Sequence, residues 1–154
     1  MPKYVDQYFV LGLVDGLNND KRIGSNYSTK YVQKTDEAIK AFKGGNAIFT
    51  FPPMPIKCPG APQKIMWIAN DIWKNDSSVG KYTLEYNTAL GVIFGVPKYA
   101  NELMKLVESE NVNFKKQSLL CGVDHVNSKS KLLLLISRKG WSICTIQSFR
   151  YGVI

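Results

Sequence analysis

Two rhythms of apolar positions run along this chain: short unbroken apolar runs of strand length, and longer stretches that repeat every three to four residues. Residues 8–13, AIFTF at 47–51, residues 81–86 and residues 118–123 are runs of the first kind, with a shorter one at 112–114. A polar loop with Gly16, Asn18, Asn19 and Gly24 is expected after the first of them. Three amphipathic stretches lie between the runs. Ser28 is a candidate N-cap for a helix to Lys43 in which Val32, Ile39 and Phe42 share a face, and Gly44-Gly45 supplies its stop. A second helix, over residues 62–75, begins at a proline and carries Ile65, Met66, Ala69, Ile72 and Trp73 as its stripe. A third spans residues 97–110, with Ala100, Leu103, Leu106 and Val107 facing inward. Strands alternating with helices predict an α/β fold, a mostly parallel sheet with helical cover. No internal repeat or low-complexity linker breaks the pattern.

Composition narrows the function classes. The net charge is +8, which on its own suggests a polyanionic partner. Its distribution does not fit a nucleic-acid face. Residues 1–110 hold 13 basic and 11 acidic residues, while residues 111–154 hold 7 basic and 1 acidic. The excess sits in the tail, so binding of nucleic acid or another polyanion through that tail is the weakest reading. MPKYVDQYFVLGL reads as neither a signal peptide nor a transit peptide, and no apolar run reaches a membrane span; residues 132–136 have only a strand's length. The three cysteines, Cys58, Cys121 and Cys144, are too few and too widely spaced for a disulfide framework or a zinc pattern. No metal site is expected.

The chemistry concentrates in AIFTFPPMPIKCPGAPQKIMW, residues 47–67. A strand ends, a proline-rigid loop presents Cys58, and a helix begins just beyond. Open α/β sheets place ligands at the carboxyl ends of their strands. A helix N-terminus carries partial positive charge, and Lys57 and Lys64 stand close in sequence. Both effects favour thiolate over thiol and make Cys58 a candidate nucleophile for sulfur species. The competing reading is a small residue that packs. His125, the only histidine, is expected in a loop, with no triad assembled around it. Trp67 and Trp73 are expected to pack, Asp71 and Asp76 to be helix-surface charges, and Lys115-Lys116 to be a solvated pair. Cys121 and Cys144 read as strand-core residues.

Residues 23–73, IGSNYSTKYVQKTDEAIKAFKGGNAIFTFPPMPIKCPGAPQKIMWIANDIW, resemble the mitochondrial-type sulfide:quinone oxidoreductases, flavoproteins of the disulfide-reductase superfamily. So do residues 85–116, EYNTALGVIFGVPKYANELMKLVESENVNFKK, and the likeness spans residues 12–123. The resemblance implies an incomplete FAD/NAD(P)-binding, Rossmann-like fold. Residues 1–80 would be a remnant of the FAD-binding domain with the redox-cysteine loop, and residues 81–123 the start of a second dinucleotide-fold lobe. Residues 124–154 would be a divergent tail of uncertain fold. It implies that Cys58 is the catalytic, persulfide-forming cysteine, with electrons passing to FAD and then to a quinone. It also implies sulfide and quinone as partners and the mitochondrial inner membrane as the location, with membrane association expected only of a full-length enzyme.

The departures set a second expectation. No G-x-G-x-x-G turn occurs, and Gly91 and Gly95 have the wrong spacing, so they read as parts of a tight strand-to-helix turn. FAD-contacting residues stay unassigned. The family's second redox cysteine and its C-terminal amphipathic helices have no counterpart here. The chain is therefore read as a truncated internal fragment, inactive alone. The alternative is a non-catalytic module that associates with the full-length enzyme or has no independent activity.

Overall fold

A computed structural model describes residues 10–134, 144–148 and 151–153, with side chains over residues 10–128. In chain order the elements are α1 (Leu13–Asn19), β1 (Ile23–Gly24), α2 (Val32–Ala41), β2 (Gly45–Phe51), α3 (Ala61–Asn75), β3 (Tyr82–Thr88), α4 (Pro97–Ser109), β4 (Asn113–Lys115), β5 (Ser118–Asp124), β6 (Lys129–Leu134), β7 (Cys144–Ser148) and β8 (Tyr151–Val153). Strands β1-β8-β2-β3-β4, in that order, make a parallel sheet, and β5-β6-β7 make an antiparallel one. The expected α/β fold stands.

The central strand shows why the pattern was readable. β2 is buried from Ala47 to Phe51 on both faces, as a parallel strand between two layers must be. Ala47, Phe49 and Phe51 point to a core shared with Phe42, Met66, Ala69, Trp73, Leu84, Tyr86 and Val107. Ile48 points the other way, to Val10, Leu17, Ile23, Leu120 and Val123. In α3 the buried residues Met66, Ala69, Asn70 and Trp73 follow the helical period, and Pro62 sits in the first turn, where its missing N–H costs nothing. Ile72 and Leu106 depart from expectation. They lie at the edges of their stripes and are 38% and 47% exposed.

The amino-terminal region differs more. Residues 13–19 form helix α1 where a polar loop was expected, and among its described residues the first apolar run contributes a bridge from Leu11 to Gly122. Tertiary contact overrides weak propensity here, because Leu17 is buried and a Cβ on Gly16 would come within 2.8 Å of Ile23. Gly12 is required twice over. Its φ is +73, and a Cβ there would stand 2.2 Å from the Val123 carbonyl oxygen. Ser28 does not cap α2 through its side chain; its carbonyl accepts the Tyr31 and Val32 amides instead.

The boundary expected near residue 80 falls between β2 and β3. These strands pair in parallel from Gly45↔Tyr82 to Phe51↔Thr88, so one sheet crosses that position. The segment expected as a tail of uncertain fold supplies β6 and β7 beside β5, and then β8, which enters the parallel sheet between β1 and β2. Among the described residues no helix is long and apolar enough to cross a membrane.

Candidate functional site

β2 ends at the carboxyl edge of the parallel sheet. The Phe51 carbonyl accepts the Ala89 amide at 3.0 Å, which sets the segment after β3 beside the loop after β2. Gln63, 3% exposed in the first turn of α3, donates to the Ile93 carbonyl at 2.5 Å and ties the helix to that same segment. Loop 52–60 holds Pro52, Pro53, Pro55 and Pro59, which fix their own φ and offer no amide, so the strand cannot continue. Ile56 packs on the main core and anchors the loop.

Cys58 follows, exposed and with a free thiol. Its φ is 47, in the left-handed region that costs an ordinary residue about 1–2 kcal/mol. Two donors hold it there. The Cys58 carbonyl accepts the Ala61 amide at 3.0 Å and the Tyr27 hydroxyl at 3.1 Å. Partial burial pushes the Tyr27 phenol up, and Cys58 beside it adds to the effect. Burial likewise pushes the Tyr86 phenol well above its usual range, with Tyr27 as a further cause. Lys57 and Lys64 are both exposed.

A dinucleotide fold cradles a pyrophosphate on free helix amides at its first strand-to-helix turn, and the β2–α3 turn is a later one. It does not fit that group here. The Ala61 amide is taken by Cys58, Pro62 has none, and the Lys64 amide bonds the Gly60 carbonyl. At most the Gln63 amide is left. Gly91 and Gly95 lie in the segment after β3, and neither has a left-handed φ. The β2–α3 turn therefore forms no flavin-phosphate cradle.

The remaining expected residues fall as follows. Trp73 packs 4.0 Å from Phe42 between ring centroids, and its indole donates to the Ile39 carbonyl at 2.8 Å. Trp67 lines an apolar groove of about 330 Å³ with Gly60, Gln63, Phe94 and Leu103, and its indole N–H is buried without a partner. Asp71 lies on the surface of α3; Asp76 caps the end of that helix, binding Ser78 and lying 3.6 Å from Lys43. Lys115 is not solvated: its ammonium lies 2.9 Å from Glu85, a buried carboxylate also bonded by Asn87 and Asn113. Cys121 is half-buried on β5, and the side chain of Cys144 lies outside the described residues. His125 sits in the turn after β5, but it is bound there, with its Nε2 2.8 Å from Asp15. Two features were missed at the sequence level: the Tyr27–Cys58 contact, which joins residues 31 apart, and the His125–Asp15 pair, which joins residues 110 apart. Neither leaves a local pattern.

A parallel sheet with helical crossovers and a three-stranded antiparallel excursion places the chain in the α/β class, with a Rossmann-like fold. Solved structures agree at the level of fold. The chain superposes with a TM-score of 0.76 on a chain of the Tetrahymena thermophila mitochondrial ATP synthase, at 13% identity, covering 94% of this chain and 36% of that one. With the sulfide:quinone oxidoreductase of Aquifex aeolicus the TM-score is 0.68 at 12% identity, covering 94% and 32%. With the water-forming NADH oxidase of Lactobacillus brevis it is 0.53 at 7%, covering 94% and 26%. No family model matches the sequence.

Sequence likeness is more specific. The chain is 46% identical over 109 residues to the mouse mitochondrial sulfide:quinone oxidoreductase, covering 71% of this chain and 24% of the relative. It is 41% identical over 105 residues to that of Dictyostelium discoideum, covering 68% and 23%. The chain thus resembles the mitochondrial-type sulfide:quinone oxidoreductases, and it spans about a quarter of the length of the curated relatives it matches.

Proposed function

We propose that this chain carries the sulfur-accepting cysteine loop of a sulfide:quinone oxidoreductase, with Cys58 holding sulfane sulfur as a persulfide. The observation that carries the reading is the presentation of Cys58. It is an exposed free thiol at the carboxyl end of the central strand, held in a left-handed conformation by two hydrogen bonds to its carbonyl. A nucleophile that must meet a small sulfur species needs that access.

The chemistry follows from thiol–disulfide exchange. The Cys58 thiolate attacks an outer sulfur of a polysulfide. The new bond joins that sulfur to Cys58, and the old S–S bond breaks, its electron pair leaving on a polysulfide one sulfur shorter. Nothing is oxidised overall. Hydrosulfide itself is too reduced for this exchange, because joining it to the Cys58 thiol releases two electrons and a proton. In the family that the chain resembles, those electrons go to FAD and then to a quinone. The β2–α3 turn offers no flavin cradle, and the isolated chain is expected to stop at the persulfide. Mitochondrial location is proposed from the names of the relatives, and the inner membrane from the family resemblance alone.

Cyanolysis tests this reading. Cyanide takes the outer sulfur of a persulfide as thiocyanate and regenerates the thiol. After polysulfide treatment, the chain should release thiocyanate, and Cys58→Ser should remove most of that yield. An equal yield from the variant would remove Cys58 from the role. A non-catalytic module is the second reading, favoured by the missing cradle. It predicts persulfide formation no faster at Cys58 than at Cys121.

A further inference from the structure

We infer that Tyr27 is the positioning residue of Cys58: its hydroxyl, bonded to the Cys58 carbonyl, holds the thiol loop in its left-handed conformation. The inference rests on the reading of Cys58 as the sulfur acceptor and adds a residue to it. Three observations carry it. First, the loop after β1 brings the Tyr27 hydroxyl 3.1 Å from the Cys58 carbonyl, across 31 residues of sequence. Second, that carbonyl also accepts the Ala61 amide at 3.0 Å, so both donors fix the same peptide plane, one from the helix start and one from a remote loop. Third, Cys58 has φ 47, where a non-glycine residue does not rest without support.

The rest of the Tyr27 side chain does little else. It is 41% exposed, so replacing it with phenylalanine removes the hydroxyl and little apolar burial. The phenol is pushed up by burial and by Cys58. It therefore stays protonated, as a donor must, at neutral pH.

The peptide plane sets the direction of the Cys58 Cα–Cβ bond and so the approach open to an incoming sulfur. Without Tyr27 the Ala61 amide alone holds the plane. The left-handed conformation then gives way part of the time, and the thiol turns from the approach it keeps in the native loop.

The test uses the full 154-residue chain and Tyr27→Phe. Amide hydrogen exchange at Ala61 reports the peptide plane, and the rate of persulfide formation at Cys58 with inorganic polysulfide reports the thiol. Both should change in the variant by about fivefold, the factor that losing one typical net hydrogen bond gives, with exchange faster and sulfur uptake slower. The far-ultraviolet circular dichroism should not change, and the melting temperature should fall by no more than about 2–4 °C, the shift that a fivefold factor gives a chain of this size. Unchanged Ala61 exchange, or an unchanged uptake rate beside faster exchange, overturns the inference. If the unmutated chain forms no persulfide at Cys58, the sulfur-acceptor reading fails by itself, and Ala61 exchange alone decides the clamp.

Discussion

Two tryptophans on α3 offer a paired test of the packing. Trp73 donates its indole N–H to the Ile39 carbonyl at 2.8 Å, inside the aromatic cluster with Phe42 and Tyr82. The Trp67 indole N–H is buried but has no partner. Tryptophan to phenylalanine is the same chemical change at both sites, and loss of ring size counts more at buried Trp73 than at Trp67, which is half-buried beside the groove. The hydrogen-bond contribution differs in sign. Trp73→Phe removes a hydrogen bond worth about 0.5–1.5 kcal/mol and leaves the Ile39 carbonyl only its longer bond from the Phe42 amide at 3.3 Å, whereas Trp67→Phe removes a buried donor that was already unpaired. Trp73 also makes an aromatic contact worth about 0.5–1.5 kcal/mol, part of which a smaller ring loses. Trp73→Phe should therefore be less stable than Trp67→Phe by about 2 kcal/mol. For a chain of this size that corresponds to a gap in melting temperature of about 4–8 °C. Urea unfolding followed by far-ultraviolet circular dichroism gives the difference directly, with the slope unchanged between variants. Equal midpoints, or Trp67→Phe as the less stable, would refute the assignment of the Trp73 hydrogen bond.

Other expectations concern the edges of the fold. Gly12→Ala should destabilise by more than about 2 kcal/mol, since a Cβ must both accept a φ of +73 and push the Val123 carbonyl aside; a thermal melt within error of the parent would sink this. The Glu110 carboxyl is held below its ordinary value of 4.5, chiefly by its hydrogen bond from Lys74 and secondarily by Asn70. A depressed carboxylate stabilises the fold above its unfolded pKa, and that contribution is lost as pH falls through the folded value. Lys74→Met should therefore return the Glu110 titration, followed by NMR, towards 4.5, and flatten the loss of stability below that pH. The Asp15 carboxyl is likewise held below 3.8, first by His125 and then by Asn19, and His125→Ala should let it rise.

The legible part of the fold was the part with a strong period. β2 and β3 are unbroken buried runs, and α3 buries residues three and four apart, so the residue pattern alone marks them to within a few positions. α1 was hidden because Gly16 and its asparagines argue locally for a loop, and only contact with Ile23 and Val123 makes it a helix. The sheet order was hidden too. Nothing near residue 151 announces a strand that slots between β1 and β2, because parallel partners need no proximity in sequence. At the candidate site, Cys58 was legible from its proline-rich setting and from the resemblance. Its left-handed backbone and its Tyr27 clamp were not, since both depend on a loop folded back from residue 27. Lys115 read as solvated because its partner, Glu85, is buried on a neighbouring strand.

The central claim is that Cys58 is the thiol that takes up sulfane sulfur. The most direct measurement is intact-mass and peptide-level mass spectrometry of the chain after brief anaerobic exposure to limiting inorganic polysulfide, with free thiols and persulfides then trapped by alkylation. The account predicts a gain of one sulfur atom on the peptide holding Cys58, removed by a reducing agent, while Cys121 and Cys144 remain plain thiols. Sulfur found first on Cys121 or Cys144, or spread evenly over all three cysteines, would contradict it.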